Sequence, residues 1–466
     1  MPSKLNTRGS LRIWLMYLVM IALTVGAFLL INEKGKSLMG PEAVSHLANG
    51  GTSHAQINYL LQILLALSVV IVTARAMGSL FALIGQPKVI GEVVGGIMLG
   101  PSFLGSLSPQ LYTFLLPPTA APFLGLIAQL GVIFYMFTVG LELDLKVLKK
   151  SGHAALAISH ASIIVPFLLG TGLALGIYKQ VTLPEVGFTS FALFLGVSMS
   201  ITAFPVLARI LTDRKINKTK MGIIALTCAA VDDVTAWCLL ALVVSVSQAK
   251  IGSAVVTLLL TVVYIAAMFL IGGPLIRRLV PWLEKFDRLT EGGVAIFFVG
   301  LLLSALATEV IGIHAIFGAF LLGAITPHDS RVAKELTDRI DDLVRIMFLP
   351  AFFAFTGMRT QFGLLDNSND WWLCGLIIVV ATVGKFGGTF VASRLSGLNT
   401  RDSAALGILM NTRGLVELIV LNLGLDLKII SSQLFTMLVI MALVTTFMTS
   451  PILHFLTRNH PWEQPK

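Results

Sequence analysis

The stretch that decides the reading is CAAVDDVTAW, Cys228 to Trp237. Two adjacent carboxylates, Asp232 and Asp233, stand inside a long apolar run whose nearest basic residues are Lys220 and Lys250. Read as one helix rising about 1.5 Å per residue, the run places the pair about 18 Å or more from either lysine. A charge at that depth in a bilayer is expensive, and its default meaning is function. Adjacent helical positions point about 100° apart, so one carboxylate is expected to face a cavity and the other a neighbouring helix. Burial and mutual repulsion favour a protonated carboxyl, and a nearby cation favours the ionised one. Such a site can trade a proton for a cation.

Outward from this stretch, the whole chain reads as a polytopic membrane protein. Of its 466 residues 56% are hydrophobic and 12% charged, where a soluble domain is roughly half apolar and about a quarter charged. The net charge of +9 is dispersed over short loops, which points to the lipid bilayer as partner and away from nucleic acid. Cys228, Cys238 and Cys374 lie in apolar segments without metal-ligand spacing and read as small packing residues. Lys4, Arg8 and Arg12 precede an apolar run from Ile13 to Ile31, which is expected to be a retained spanning helix and not a signal peptide.

Thirteen further apolar segments fall near 57–83, 88–105, 122–143, 153–178, 187–211, 219–248, 252–276, 290–310, 313–326, 344–360, 371–393, 402–425 and 430–456. With both termini placed inside, every second loop is basic, including Lys146, Lys149 and Lys150, then Arg214, Lys215 and Lys218, then Arg277 and Arg278. The intervening loop GSLSPQLYTFLLPPTAAP carries no charge. This regularity supports the count and the orientation. SRVAKELTDRIDDLVR, 330–345, is expected to be a surface helix joining two spans.

A repeat is also visible. LGP at 99–101 recurs as LGAITP at 322–327, and FYMFT at 134–138 as FFAFT at 352–356. Two six-helix copies, 57–248 and 290–456, are then separated by the single helix 252–276. An odd helix between them inverts the second copy, the architecture of many secondary transporters.

Other polar residues stand at membrane depth. Lys385, midway along VVATVGKFGGTFVAS, must pair or lose its proton, and the expected partner is an aspartate of the pair. Its GKFGG setting permits close approach of helices. GVSMSITAFPVLARIL, 196–211, carries Ser198, Ser200, Thr202 and Pro205, and ILMNTRGLVELIVLN, 408–422, carries Asn411, Thr412, Arg413, Gly414 and Glu417. Both read as broken helices, because proline removes a backbone donor and unwound backbone survives at this depth only where buried or facing a cavity. Interrupted helices at matching places in two repeats are the best sequence pointer to a transport site. Their free ends carry partial charges that charged side chains can compensate. Arg413 and Glu417, at i and i+4, are expected to bridge each other and support the break.

Glu92 is an interfacial or a functional carboxylate, Glu142 and Asp144 mark a helix end, and His160 and His314 read as packing histidines. No GxxxxGK[ST] and no TVGYG string occurs, which argues against an ATP drive and weakens a pore-channel reading. No cofactor and no enzyme chemistry are expected.

These residues bring a family into view. IGQPKVIGEVVGGIMLGPSFLG, FTVGLELDL, SMSITAFPVLARIL, AAVDDVTAW, HAIFGAFLLGAITP, LPAFFAFTG, GKFGGT and MNTRGLVELIVLN occur in this order. The chain resembles monovalent cation/proton antiporters of the second cation:proton antiporter family, near the plant cation/H⁺ exchangers. The resemblance implies the all-α inverted-repeat sodium/proton antiporter fold, with thirteen core segments plus the N-terminal helix and two crossed broken helices. It implies an N-terminal helix and outside loop over 1–52 and dimerisation helices of repeat 1 over 53–145. Core helices of repeat 1 follow over 146–248, a linker helix over 249–283, dimerisation helices of repeat 2 over 284–363, and core helices of repeat 2 with a short inside tail over 364–466. It further implies a homodimer.

By the same resemblance Asp233 is the aspartate that binds the cation and the proton, and Lys385 is the lysine that pairs with an aspartate. Members with Asp-Asp and this lysine tend to be electrogenic, whereas plant relatives commonly carry Asn where Asp232 stands. The expected cycle has Asp233 shed its proton or its Lys385 pairing and bind Na⁺ or K⁺. Ser200, Thr202 and unwound carbonyls complete the oxygen shell, with Asp232 beside it. Two alternatives are a gated potassium-efflux pathway and an organic-anion transporter on the same fold. A bacterial inner membrane with both termini cytoplasmic is the expected location.

Overall fold

A computed structural model gives the fold and describes residues 59–142, 153–214, 216, 219–248 and 251–457. The helix expected over 13–31 lies outside the described residues, as do Asp144 and the lysines of the 146–150 loop. In a bilayer every backbone group must be satisfied within its own segment or a closed barrel, so long apolar runs become helices.

The helices follow in order. First come α1 (Tyr59–Leu83), α2 (Lys88–Leu99), α3 (Leu104–Leu107), α4 (Pro109–Leu115) and α5 (Ala121–Glu142). Then follow α6 (His153–Val181), α7 (Phe188–Ser200), α8 (Phe204–Asp213) and α9 (Lys220–Gln248). A long stretch comprises α10 (Ile251–Ala267), a π turn (Met268–Gly272) and α11 (Gly273–Leu283). The second half holds α12 (Glu291–Ile311), α13 (Ala315–Ile325), α14 (Arg331–Leu343) and α15 (Leu349–Met358). It ends with α16 (Ser368–Leu395), α17 (Thr400–Met410), α18 (Leu415–Asp426) and α19 (Ser432–Thr457). Among the described residues there is no strand. Nine helical stretches there are long and apolar enough to cross a bilayer, and α17 with α18, bent by 41°, makes a tenth.

Each of the thirteen expected segments is occupied by helix. The segment 88–105 is helical to Leu99, turns at Gly100–Pro101 and resumes as helix at Leu104. The apolar segment 252–276 continues as helix to Leu283. The charged run 330–345 forms the surface helix α14 between α13 and α15, and it passes through a π turn (Val344–Phe348) directly into α15. Its Val332, Ala333, Leu336 and Ile340 are buried while Arg331, Lys334 and Arg339 stay exposed, the one-sided pattern of a helix lying against a core. Caps fix several starts. Asn367 accepts the Asp370 amide at α16 and Asn399 the Asp402 amide at α17, satisfying otherwise orphaned donors.

Packing across the two halves follows the repeat. Helix α2 lies on α15, and α5 on α13, so corresponding helices of the copies pair reciprocally. Glycines make both approaches possible. A Cβ at Gly96 would lie 2.2 Å from the Ala354 carbonyl oxygen, and one at Gly357 2.3 Å from that of Val93. In the other pair, a Cβ at Gly140 would lie 2.3 Å from Phe320 O and one at Gly323 2.3 Å from Phe137 O. Helices α6 and α16 also pair. There Gly384 meets the Pro166 backbone and Gly388 the Ala161 carbonyl, each at 2.8 Å from a built Cβ. Those two glycines flank Lys385 and set how deeply its side chain enters the core.

Candidate ion site

The site forms where α6, α9 and α16 meet the breaks of two helices. The first break separates α7 from α8 at Ile201–Ala203, and the second separates α17 from α18 at Asn411–Gly414. Pro205 sits in the first turn of α8, where its missing amide removes no helical bond. The two breaks touch. The Ala203 amide donates to the Thr412 carbonyl at 3.0 Å, and the Thr202 hydroxyl lies 3.2 Å from the Met410 carbonyl. Gly414 is needed because a Cβ there would come 2.5 Å from Val206 Cγ2.

Each adjacent aspartate on α9 finds a different environment. Asp232 is wholly buried. Its Oδ1 accepts from the Ser159 hydroxyl at 2.5 Å. Its Oδ2 accepts from Ser162 at 2.6 Å, Thr202 at 2.8 Å and the Lys385 ammonium at 3.0 Å. Lys385, equally buried, also donates to the Ser200 carbonyl. Asp233 is 4% exposed, and neither of its oxygens has a hydrogen-bond partner among the described residues. α8 begins at Phe204, and the start of a helix carries partial positive charge.

Charged side chains compensate the other broken ends. Arg413, fully buried, donates to the carbonyls of Ser198 and Met199, each at 2.6 Å, and to Glu417 at 3.1 Å. With Lys385 on Ser200, three successive carbonyls at the C-terminal end of α7 are thus capped by two cations, opposing the negative end of that helix. Glu417 lies in the first turn of α18, where a carboxylate opposes the positive end. The Arg413 backbone is held by Thr446, whose hydroxyl lies 2.7 Å from the Arg413 carbonyl and 3.0 Å from its amide. The i, i+4 bridge expected between Arg413 and Glu417 is present.

One expectation changes. Lys385 pairs with an aspartate of the pair, as expected, but with Asp232 and not Asp233 as the expected cycle had it, because the ammonium meets an oxygen already turned to α6 and to the first break by hydroxyls. Thr202 serves Asp232 through its hydroxyl. The Ser200 hydroxyl turns back to Gly196 O at 2.7 Å and Ile163 O at 3.1 Å, leaving its carbonyl to Lys385. Asn411 ends α17 with both side-chain polar atoms buried and without a partner among the described residues.

Sequence reasoning missed Ser159, Ser162 and Thr446. The signal for the serines was available: in AISHASIIVP they stand three apart and share one helix face, whereas attention fell on His160 between them. That histidine is exposed and bonds its own helix at Leu156 O.

A cavity of ≈ 890 Å³ reaches toward the breaks. Phe204 and Leu415, the first residues of α8 and α18, are among its lining residues. Lys88, Glu92, Glu142 and Arg345 also line it, and Lys88 and Arg345 belong to the basic connections between spans. Buried Glu92 is thus a cavity residue.

Two helix breaks in contact beside a buried carboxylate without a hydrogen-bond partner among the described residues make an arrangement suited to a secondary transporter. The profile of the sodium/hydrogen exchanger transmembrane family matches residues 63–458, and the chain belongs to that family. Over 397 residues it is 46% identical to the Na(+)/H(+) antiporter NhaS4 of Synechocystis sp., covering 85% of this chain and 97% of that protein. It is 37% identical over 384 residues to K(+)/H(+) antiporter 1 of Saccharomyces cerevisiae. That match covers 80% of this chain and 44% of the yeast protein, so the chain spans less than half of that relative's length. The structure of the sodium proton antiporter MjNhaP1 from Methanocaldococcus jannaschii superposes with a TM-score of 0.64. It covers 86% of this chain and 99% of that one at 15% identity, a likeness of fold.

Proposed function

We propose that the protein exchanges a monovalent cation, Na⁺ or K⁺, for protons by alternating access, with Asp233 as the shared binding group. The observation that carries this reading is the contrast within the aspartate pair. Asp232 has four donors, one of them an ammonium, while Asp233 has no hydrogen-bond partner among the described residues. A buried carboxylate left without a partner is costly as an anion, and a proton or a dehydrated cation relieves that cost equally well. Binding is therefore mutually exclusive, and exclusion at one carboxylate is the coupling. Hard monovalent cations take oxygen ligands, which the unwound backbone beside Thr202 and Asn411 can supply.

In this reading α6–α9 and α16–α19 form a core that shifts against the other helices, the linker α10–α11 joining the halves. The cavity behind Phe204 is the pathway open toward the basic, cytoplasmic loops. Two such chains associate through the non-core helices, and the Asp232–Lys385 pair makes the cycle electrogenic.

The test is purified protein in liposomes containing a pH dye, challenged with Na⁺, K⁺, Li⁺ and Rb⁺ with and without a clamped potential. Cation-driven proton movement that D233N loses supports exchange at this site. Cation flux without proton movement, or full exchange by D233N, overturns it.

A further inference from the structure

We propose that Ser159 and Ser162 are positioning residues for the exchange: they tether the Asp232 carboxylate to α6, so that Lys385 stays with Asp232 and leaves Asp233 to the cation. This rests on the exchange reading above and adds what keeps the two carboxylates in separate roles. An ammonium on a flexible four-carbon stem is a point charge that follows its partner. Two carboxylates on one turn of α9 compete for it, and the winner depends on where the Asp232 oxygens are held.

Both serines are fully buried on the continuous helix α6, facing α9. Alanine suits a helix better than serine, and a buried hydroxyl is costly unless bonded. Their bonds explain their presence. Ser159 is the one donor to Asp232 Oδ1 among the described residues, and Ser162 donates to Oδ2. The Ser162 hydroxyl also lies 2.9 Å from the Ser159 carbonyl, but it has a single hydrogen, and the charged acceptor makes the stronger bond. The remaining tethers, Thr202 and Lys385, come from the broken helix and from the competing cation itself. The α6 serines are thus the tethers that come from neither the broken helix nor the competing cation.

Without them the Asp232 side chain is free to turn, and the ammonium becomes shared with Asp233. A cation must then displace the ammonium to bind. Competition of this kind raises the cation KM and spares kcat.

Exchange is measured against cation concentration at fixed pH for the wild type, S159A/S162A, S159T/S162T, K385A and the combination of K385A with S159A/S162A. The double alanine variant is expected to raise KM by about tenfold or more, the scale of a lost hydrogen bond to a charged group, with kcat within about twofold. The double threonine variant keeps both hydroxyls and stays near the wild-type KM. In the K385A background the competitor is gone, so the serine substitutions leave KM unchanged. Where a variant does not turn over, calorimetric Na⁺ or K⁺ binding to the purified protein reads the same pattern. An unchanged affinity in S159A/S162A overturns the proposal. So does an equal loss of affinity with and without Lys385, which marks a merely structural role. A wild type that binds the cation but moves no protons defeats the exchange reading and leaves the positioning to be judged by the binding data.

Discussion

The Lys385 ammonium lies 3.0 Å from Oδ2 of Asp232, with both side chains wholly buried, while its sequence neighbour Asp233 has no hydrogen-bond partner among the described residues. One turn of helix thus carries a neutralised carboxylate and a bare one. Low local dielectric strengthens the first arrangement and penalises the second. Two carboxylates with the same intrinsic chemistry are separated in role by what donates to them.

Substitution of the bare carboxylate should separate folding from function. Asp233→Asn removes a buried ionisable carboxyl and breaks no hydrogen bond among the described residues. Its melting temperature in detergent is expected to equal or exceed that of the wild type, while cation-driven proton movement in liposomes disappears. A variant that melts far lower would mean that Asp233 holds the fold together.

Substitution within the neutralised pair should behave in the opposite way. Breaking a buried ion pair from one side strands a charge and costs on the order of 3–5 kcal/mol. Lys385→Ala and Asp232→Asn are each expected to lower the unfolding midpoint substantially. The double variant should lose much less than the sum, since neither charge is then stranded. Additive losses in denaturation of the purified variants would contradict the coupling between these two residues.

Much of this was legible in the sequence, for definite reasons. Bilayer thickness and backbone satisfaction restrict a long apolar run to one structure, so the apolar segments were legible as helices, with the alternation of loop charge supporting the count. The breaks at Thr202 and Asn411 were legible because polar residues and a nearby proline interrupt otherwise apolar helices. The depth of Asp232, Asp233 and Lys385 marked them as a unit. Sequence could not assign the lysine to one aspartate, because positions 232 and 233 differ by about 100° of helical rotation and only the neighbouring helices decide which one faces α16. Ser159 and Ser162 were overlooked because a serine in an apolar helix can bond its own backbone, so its type alone does not reveal a distant partner. The run 330–345 was legible as a surface helix because charged residues alternate with an apolar stripe at Val332, Leu336 and Ile340, whereas its continuity with α15 through a π turn left no mark in the sequence.

Arg413 gives a sharper test of side-chain shape than of charge. Its guanidinium holds the Ser198 and Met199 carbonyls and Glu417 at once. Lysine keeps the charge but presents no planar fork. Arg413→Lys is therefore expected to leave at least one buried acceptor unpaired, at about 1–3 kcal/mol per group. It should lower the melting temperature clearly, whereas Thr446→Ser, which keeps the hydroxyl on the Arg413 backbone, should change it little. A lysine variant with wild-type stability would show that charge alone compensates the end of α7.

The glycines distinguish close helix contact from mere helix composition. Gly140→Ala would bring a methyl group 2.3 Å from the Phe320 carbonyl, and Gly357→Ala one equally close to that of Val93. These are backbone atoms, which yield only if whole helices separate, so each substitution should cost about 1–3 kcal/mol or prevent assembly of the fold. The two positions lie in corresponding helices of the repeat and should respond alike. Gly172 and Gly387 are also helical, but a Cβ at either meets nothing within 4 Å. Alanine there should be neutral or stabilising by up to about 1 kcal/mol, through helix propensity. Thermal melting of all four variants in one detergent decides the matter. Similar behaviour at the four sites would remove the reciprocal packing of α2 on α15 and α5 on α13 as a source of stability, and a two-against-two division would establish it.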